Sequence, residues 1–148
     1  MRTDIYINQK SIPENILFMP GLYNDAMELL QESQKYFTEY GPRDRAKLPA
    51  NVLLLYSCEM SRITLRLSSV MSWLLMQRAI AAGEEGADYD SMYGLDFNES
   101  CLIDNRAVHG VLPPYVCHLL DSSLELYERV LRLAEQGQQQ KKVVVNIH

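Results

Sequence analysis

One stretch of the sequence, Pro49 to Ala82, contains no glycine and no proline after its first residue, and Gly83 follows it. Proline suits the first turn of a helix, and glycine suits the position just after the last turn. At a rise of about 1.5 Å per residue, a helix of this length would extend about 50 Å, which is long for a small domain. We therefore predict that residues 49–82 form the central helix of an all-α fold.

Apolar residues on one face of this helix recur at alternating spacings of three and four, the repeat typical of antiparallel helical bundles. The residues of this repeat are Leu53, Tyr56, Met60, Ile63, Leu67, Val70, Leu74, Gln77 and Ala81. We expect this face to pack against the other helices and form the core.

Two further helices are predicted from their periodicity and their flanking prolines and glycines. The first runs from about residue 20 to 40, and we expect Gly41-Pro42 to end it. Its inner face should carry Tyr23, Ala26, Leu30, Ser33, Phe37 and Tyr40, widened by Leu22, Leu29 and Tyr36. The last helix runs from about residue 113 to 136 and should end at Gly137. Together these segments predict an antiparallel three-helix bundle within one domain, residues 1–136.

Two segments outside the helices lack a sustained period. The first, residues 83–112, is rich in acidic residues, and we predict that Glu84, Glu85, Asp88 and Asp90 belong to a long acidic loop that contacts a partner. The second, residues 137–148, is polar and then strand-prone, and we predict that it is a flexible tail.

Composition and motifs argue against several classes of function. The formal net charge of -5 argues against nucleic-acid binding, which requires clustered basic residues. No apolar run reaches the roughly 18 residues that a membrane span needs, and no signal peptide is evident, so we expect a cytoplasmic protein. The three cysteines lack the spacings of zinc or redox sites, and the usual catalytic motifs are missing. We therefore predict a protein that is not an enzyme and that has no cofactor or metal site.

A second stripe of large side chains lies on another side of the central helix. At about 100° per residue, its members cluster about 200 to 240° from Met60. They are Leu55, Arg62, Arg66, Trp73 and Ile80, with Glu59, Leu65 and Met76 beside or in line with them. Apolar groups mixed with arginine and tryptophan are typical of interaction surfaces. Either the other helices or another subunit could cover this stripe, and we predict another subunit, hence a homodimer.

The central helix also carries a pattern of identities that resembles the alphaproteobacterial family DUF1465. The matching residues are Tyr56, Glu59, Arg62, Thr64, Arg66, Leu67, Ser72, Trp73, Leu74, Leu75, Gln77, Arg78, Ala79, Ile80, Gly83 and Glu84. The resemblance implies a homodimeric three-helix bundle without catalytic activity. It also implies an adaptor that brings regulatory substrates to the ClpXP protease in the cell cycle, with a ClpX-type unfoldase, a response regulator and protein substrates as partners.

Two other functions remain compatible with the residues. One is a small-molecule-binding bundle or enzyme with a pocket between helices, lined by Tyr56, Glu59 and Arg62. The other is a purely structural dimer whose acidic loop binds a basic partner.

Overall fold

The computed structural model describes residues 19–83 and 99–146, with side chains described for residues 20–83 and 99–137. Every regular element in these ranges is helical. The long helices are α1 (Met19–Lys35), α3 (Ala50–Ala81) and α4 (Pro114–Asn146). The shorter elements are a π-helical turn (Tyr36–Tyr40), helix α2 (Gly41–Ala46) and two 3₁₀ turns (Glu99–Leu102 and Arg106–Val108). The predicted all-α class with three long helices is confirmed.

Helix α3 contacts both α1 and α4, and these two helices also contact each other. Its predicted core face is buried along most of its length, at Tyr56, Met60, Ile63, Leu67, Val70 and Leu74. None of the described helices is long and apolar enough to cross a lipid bilayer.

The ends of α3 follow from local chemistry. Pro49 precedes the first turn with an extended ψ of 157°, and its carbonyl accepts the first helical hydrogen bond, from the Leu53 N–H at 2.8 Å. At the other end Gly83 adopts a positive φ of 69°, a conformation that side chains with a Cβ disfavour. The helix therefore spans residues 50–81, against 49–82 expected.

The first helical segment does not end at Gly41-Pro42 as predicted. Instead, the Gly41 N–H donates to the carbonyl of Tyr36, five residues earlier, and the chain continues as α2 to Ala46. A π-helical turn absorbs one extra residue, so Pro42 enters near the start of a new hydrogen-bonding register, where its missing N–H has little cost.

The buried face of α1 is also rotated from the predicted one. The buried residues of α1 are Leu22, Ala26, Leu29 and Ser33, and the same face continues to Tyr36 in the π-helical turn. Leu30, Phe37 and Tyr40, which we placed on the inner face, are 37%, 48% and 54% exposed. The three-and-four spacing fits both stripes equally well, so the sequence alone could not select between them.

Helix α4 continues past Gly137, where the flexible tail was predicted to begin, and ends at Asn146. A single glycine inside a helix costs only about 1 kcal/mol relative to alanine. The following Gln138–Lys142 run consists of good helix formers, which explains why the helix propagates through it. Residues 147–148 lie outside the described residues.

Residues 99–113, here called the connector, lead into α4. Three of its apolar side chains, Cys101, Val108 and Leu112, are buried in the core. Residues 84–98 are outside the described ranges, and so are the predicted partner residues Glu84, Glu85, Asp88 and Asp90.

Candidate functional site

Arg66, predicted on the interface stripe, lies inside the protomer at 1% exposure. Its Nε donates to the Cys101 carbonyl at 2.7 Å, and its Nη2 donates to the Ile103 carbonyl at 2.8 Å. Its Nη1 donates to the Leu120 carbonyl at 3.0 Å and to the Ser123 hydroxyl at 3.1 Å. Burial lowers the pKa of this guanidinium, and the nearby charge of Arg62 lowers it further. Arg66 therefore fastens the connector and α4 to α3, and it is not available to a second subunit.

Glu59 and Arg62 form an intrachain ion pair next to this anchor. The Arg62 Nη1 donates to the Glu59 carboxylate, and the Arg62 Nε donates to the Ser100 carbonyl at 2.9 Å. Glu59 is buried, while Tyr56 is buried with its hydroxyl 3.5 Å from that of Tyr36. The three residues of the suggested small-molecule pocket are thus engaged in contacts within the chain.

The apolar members of the predicted stripe are divided between core and surface. Trp73 and Ile80 are partly buried, and Trp73 packs against the core. Leu55, Leu65 and Met76 remain 38%, 37% and 36% exposed. The accessible apolar surface is therefore centred on the side of α3 that points away from α1 and α4.

That side carries an uncharged heptad-like repeat, here called the outer stripe. Its spacing alternates strictly between four and three over Leu54, Cys58, Ser61, Leu65, Ser68, Ser72, Leu75 and Ala79. Leu54 and Leu75 are 68% and 50% exposed, and the positions between the leucines hold small residues. The Ser61 hydroxyl donates to the Ser57 carbonyl at 2.9 Å, so it is already satisfied within the helix. A surface with exposed leucines and no charge is suited to contact with another protein.

A second candidate surface is a cavity of about 420 Å³ beside the π-helical turn. It is lined by Glu32, Lys35, Tyr36, Tyr40, Arg43, Asp44, Lys47 and Tyr115, and we call it the aromatic–basic cavity. The rings of Tyr36 and Tyr115 stack there, with centroids 4.9 Å apart. π-helical turns occur often at functional sites.

The two carboxylates of this cavity accept hydrogen bonds from its tyrosines. Tyr36 donates to Asp44 at 2.6 Å, and Tyr115 donates to Glu32 at 2.6 Å. Burial and the hydrogen bond to Asp44 raise the pKa of Tyr36 well above its usual value. The hydrogen bond to Glu32 raises the pKa of Tyr115 to about 12. Both hydroxyls are therefore protonated donors at neutral pH.

Two other groups of side chains in the described residues are of types that bind metals or react. Ligand atoms of Asp104, His109 and Asp121 lie within 4.8 Å of one another, a spacing that could hold a metal ion. However, Arg106 contacts both carboxylates, at 2.9 Å and 3.8 Å, and its positive charge disfavours a cation there. The adjacent Cys117 and His118 point to different partners, the His109 carbonyl and Glu32.

Sequence reasoning missed both the outer stripe and the aromatic–basic cavity. A heptad-like repeat with serine and cysteine at most positions gives little hydrophobic signal, although its lack of charge was visible. The cavity depends on the π-helical turn, and the only hint of it was a run of aromatic and basic residues around Gly41-Pro42.

The chain is similar to known proteins in both sequence and fold. The chain matches the family model "Protein of unknown function (DUF1465)" over residues 15–146. It is similar to the crystal structure of RcdA from Caulobacter crescentus CB15, with a TM-score of 0.65 and 30% sequence identity. That similarity covers 80% of this chain and 89% of the RcdA chain. No curated protein matches the chain.

Proposed function

Because the chain belongs to the DUF1465 family, we propose that it is a non-enzymatic adaptor that delivers regulatory proteins to a ClpXP protease in cell-cycle control. The observation that carries this proposal is the similarity to RcdA over most of both chains. The family motif on the central helix, which first indicated the resemblance, lies within the matched residues.

An adaptor of this kind acts as a tether. One surface holds a substrate or a response regulator, and another contacts the ClpX-type unfoldase, so that the substrate is presented at a high effective concentration. Such a mechanism needs exposed, rigidly supported surfaces and no reacting group. The outer stripe and the aromatic–basic cavity are two such surfaces, and they lie on different parts of the protomer.

We assign the outer stripe to a homodimer in which two copies of α3 pack antiparallel. A two-fold axis between residues 66 and 67 would place residue 65 of one copy against residue 68 of the other. It would likewise pair 61 with 72, 58 with 75 and 54 with 79. Each leucine then meets a small residue, which allows close approach of the helices, and the surface is self-complementary as a two-fold interface requires.

Ser68→Lys tests this dimer without disturbing the protomer, because Ser68 is exposed and lysine is a good helix former. Two lysines would lie close to the axis and be desolvated together, so we expect dimerisation at least about tenfold weaker by sedimentation equilibrium. Gln34→Lys, which adds the same charge at an exposed position on α1, should leave the dimerisation affinity unchanged. A wild-type protein that is monomeric at about 100 μM would contradict the dimer.

The adaptor role itself is tested by reconstituted proteolysis. Purified ClpXP, a cell-cycle substrate and the response regulator from the same organism should degrade the substrate faster when this protein is added. The increase in degradation rate should disappear at high substrate concentration, because tethering only raises the local concentration of the substrate at the protease. An unchanged degradation rate, together with no binding of this protein to immobilised ClpX or response regulator, would overturn the proposal.

A further inference from the structure

The aromatic–basic cavity concentrates positive charge in an otherwise acidic protein. The chain has a formal net charge of -5, yet three cations, Lys35, Arg43 and Lys47, line this one cavity. None of the three forms an ion pair with another residue that the structure describes. The lining also contains two carboxylates, Glu32 and Asp44, each of which accepts a tyrosine hydroxyl, so three cations against two anions leave a formal charge of +1. The cavity thus offers unpaired positive charge to a ligand.

The same cavity offers exposed aromatic surface. Tyr40 and Tyr115, which line it, are 54% and 40% exposed, and Phe37 on the same turn is 48% exposed. The stacking of Tyr115 on buried Tyr36 and its hydrogen bond to Glu32 hold its ring in place. Hot spots of protein interfaces are enriched in tyrosine, tryptophan and arginine.

The spacing of the charges fits an extended peptide. Arg43 lies in α2 and Lys47 directly follows its last residue, and residues four apart at helical spacing have Cβ atoms about 6 Å apart. Alternate residues of an extended chain are separated by about 6.5 Å and point to the same side. Two acidic residues at alternate positions therefore match the spacing of the two cations, and Tyr40 and Tyr115 line the same cavity. The cavity volume lies within the usual range of about 300–1,000 Å³ for binding pockets.

We propose that the aromatic–basic cavity binds a short acidic peptide segment of a partner protein, with alternate carboxylates on Arg43 and Lys47 and an aromatic side chain against Tyr40 and Tyr115. This inference rests on the proposed adaptor role, for which it supplies a specific docking site. Lys35, which also lines the cavity, adds to the attraction.

The test uses the purified full-length protein and a fluorescein-labelled probe, the pentapeptide amide Glu-Ser-Glu-Ser-Phe, in a fluorescence anisotropy titration. We expect saturable binding with a Kd of about 10–100 μM at low salt, weakening as ionic strength rises. Two control peptides separate the contributions: Lys-Ser-Lys-Ser-Phe removes the negative charge, and Glu-Ser-Glu-Ser-Ser removes the aromatic ring. Both should bind at least about fivefold more weakly.

Protein variants locate the binding site. Arg43→Glu and Lys47→Glu should each weaken binding of the first peptide at least about fivefold. Arg132→Glu, the same charge reversal at an exposed position on α4, should change it less than twofold. Tyr40→Ser should weaken binding of Glu-Ser-Glu-Ser-Phe but not binding of Glu-Ser-Glu-Ser-Ser. Circular dichroism establishes that each variant is folded.

Several outcomes would overturn the inference. They are absence of saturable binding up to 1 mM peptide, equal binding of acidic and basic peptides, and equal effects of Arg43→Glu and Arg132→Glu. The titration contains no protease, so its result is separate from the test of the adaptor role. Peptide binding without any stimulation of proteolysis would remove the adaptor role alone, and stimulation without peptide binding would remove this site alone.

Discussion

Replacing Arg66 by methionine should release the connector from the helices. Methionine fills much of the same space but donates no hydrogen bond, so four bonds from one buried side chain disappear. Hydrogen bonds to a charged group contribute about 1.5–3 kcal/mol each to the free energy of unfolding. Removing a guanidinium that burial disfavours offsets part of that loss. The Leu120 carbonyl also keeps its bond from the Ser123 hydroxyl at 3.1 Å.

The net loss in the free energy of unfolding should therefore be about 3 kcal/mol. Undocking of the connector limits this loss, because it would let the Cys101 and Ile103 carbonyls bind water. For a domain of this size that corresponds to a fall in Tm of about 10 °C. Urea denaturation measures the loss of free energy directly. Arg132→Met is the matched control, because Arg132 is exposed, and its effect should remain within about 0.5 kcal/mol.

A chemical probe reports on the connector itself. Cys101 is fully buried, and burial raises the pKa of its thiol, so it should react slowly with a thiol reagent in the wild type. With Cys58 and Cys117 replaced by serine, Arg66→Met should increase the rate of Cys101 modification by at least about tenfold. A loss of less than about 1 kcal/mol, with Cys101 still protected, would show that Arg66 does not fasten the connector.

Other predictions concern two glycines and one tyrosine. Gly83→Ala should cost about 1 kcal/mol because φ is positive there. The same change at Gly137, inside α4 with open space around it, should stabilise the fold by about 0.5–1 kcal/mol. If urea denaturation showed both substitutions to be stabilising or both to be destabilising, this contrast would be refuted. The raised pKa of Tyr115 stabilises the fold fully below pH 10, and this contribution is lost as pH rises toward about 12. An ultraviolet difference titration against Tyr115→Phe should give one ionisation near pH 12, and a midpoint near pH 10 would contradict the Glu32 hydrogen bond.

The features that the sequence predicted well have local causes. The ends of α3 depend on Pro49 and Gly83, whose backbone preferences act within one turn. The core face of α3 follows from a repeat that extends along the whole helix. The family motif, a matter of residue identity within one helix, was equally accessible.

The features that it did not predict depend on distant or competing contacts. Arg66 was placed on an interface, whereas its acceptors lie 35 to 57 residues away along the chain and no short-range pattern announces them. Gly137 was expected to end a helix, but its small local cost is outweighed by propagation through good helix formers. Arg43 and Lys47 join Tyr115 only because the chain passes through Gly41-Pro42 without breaking.

The number of residues in the π-helical turn between α1 and α2 matters for the cavity. Because it holds one residue more than an α-helical turn, it is equivalent to a single-residue insertion, and it changes the phase of all later residues by about 100°. The buried positions record this, since the spacing from Tyr36 to buried Gly41 is five, whereas Leu29, Ser33 and Tyr36 are four and three apart. Deleting one residue between 37 and 40 would remove the extra residue of the turn and rotate Arg43 and Lys47 by about 100° relative to α1 and Tyr115. In relatives, the length of this segment is therefore a better indicator of the cavity than the identity of any single residue in it.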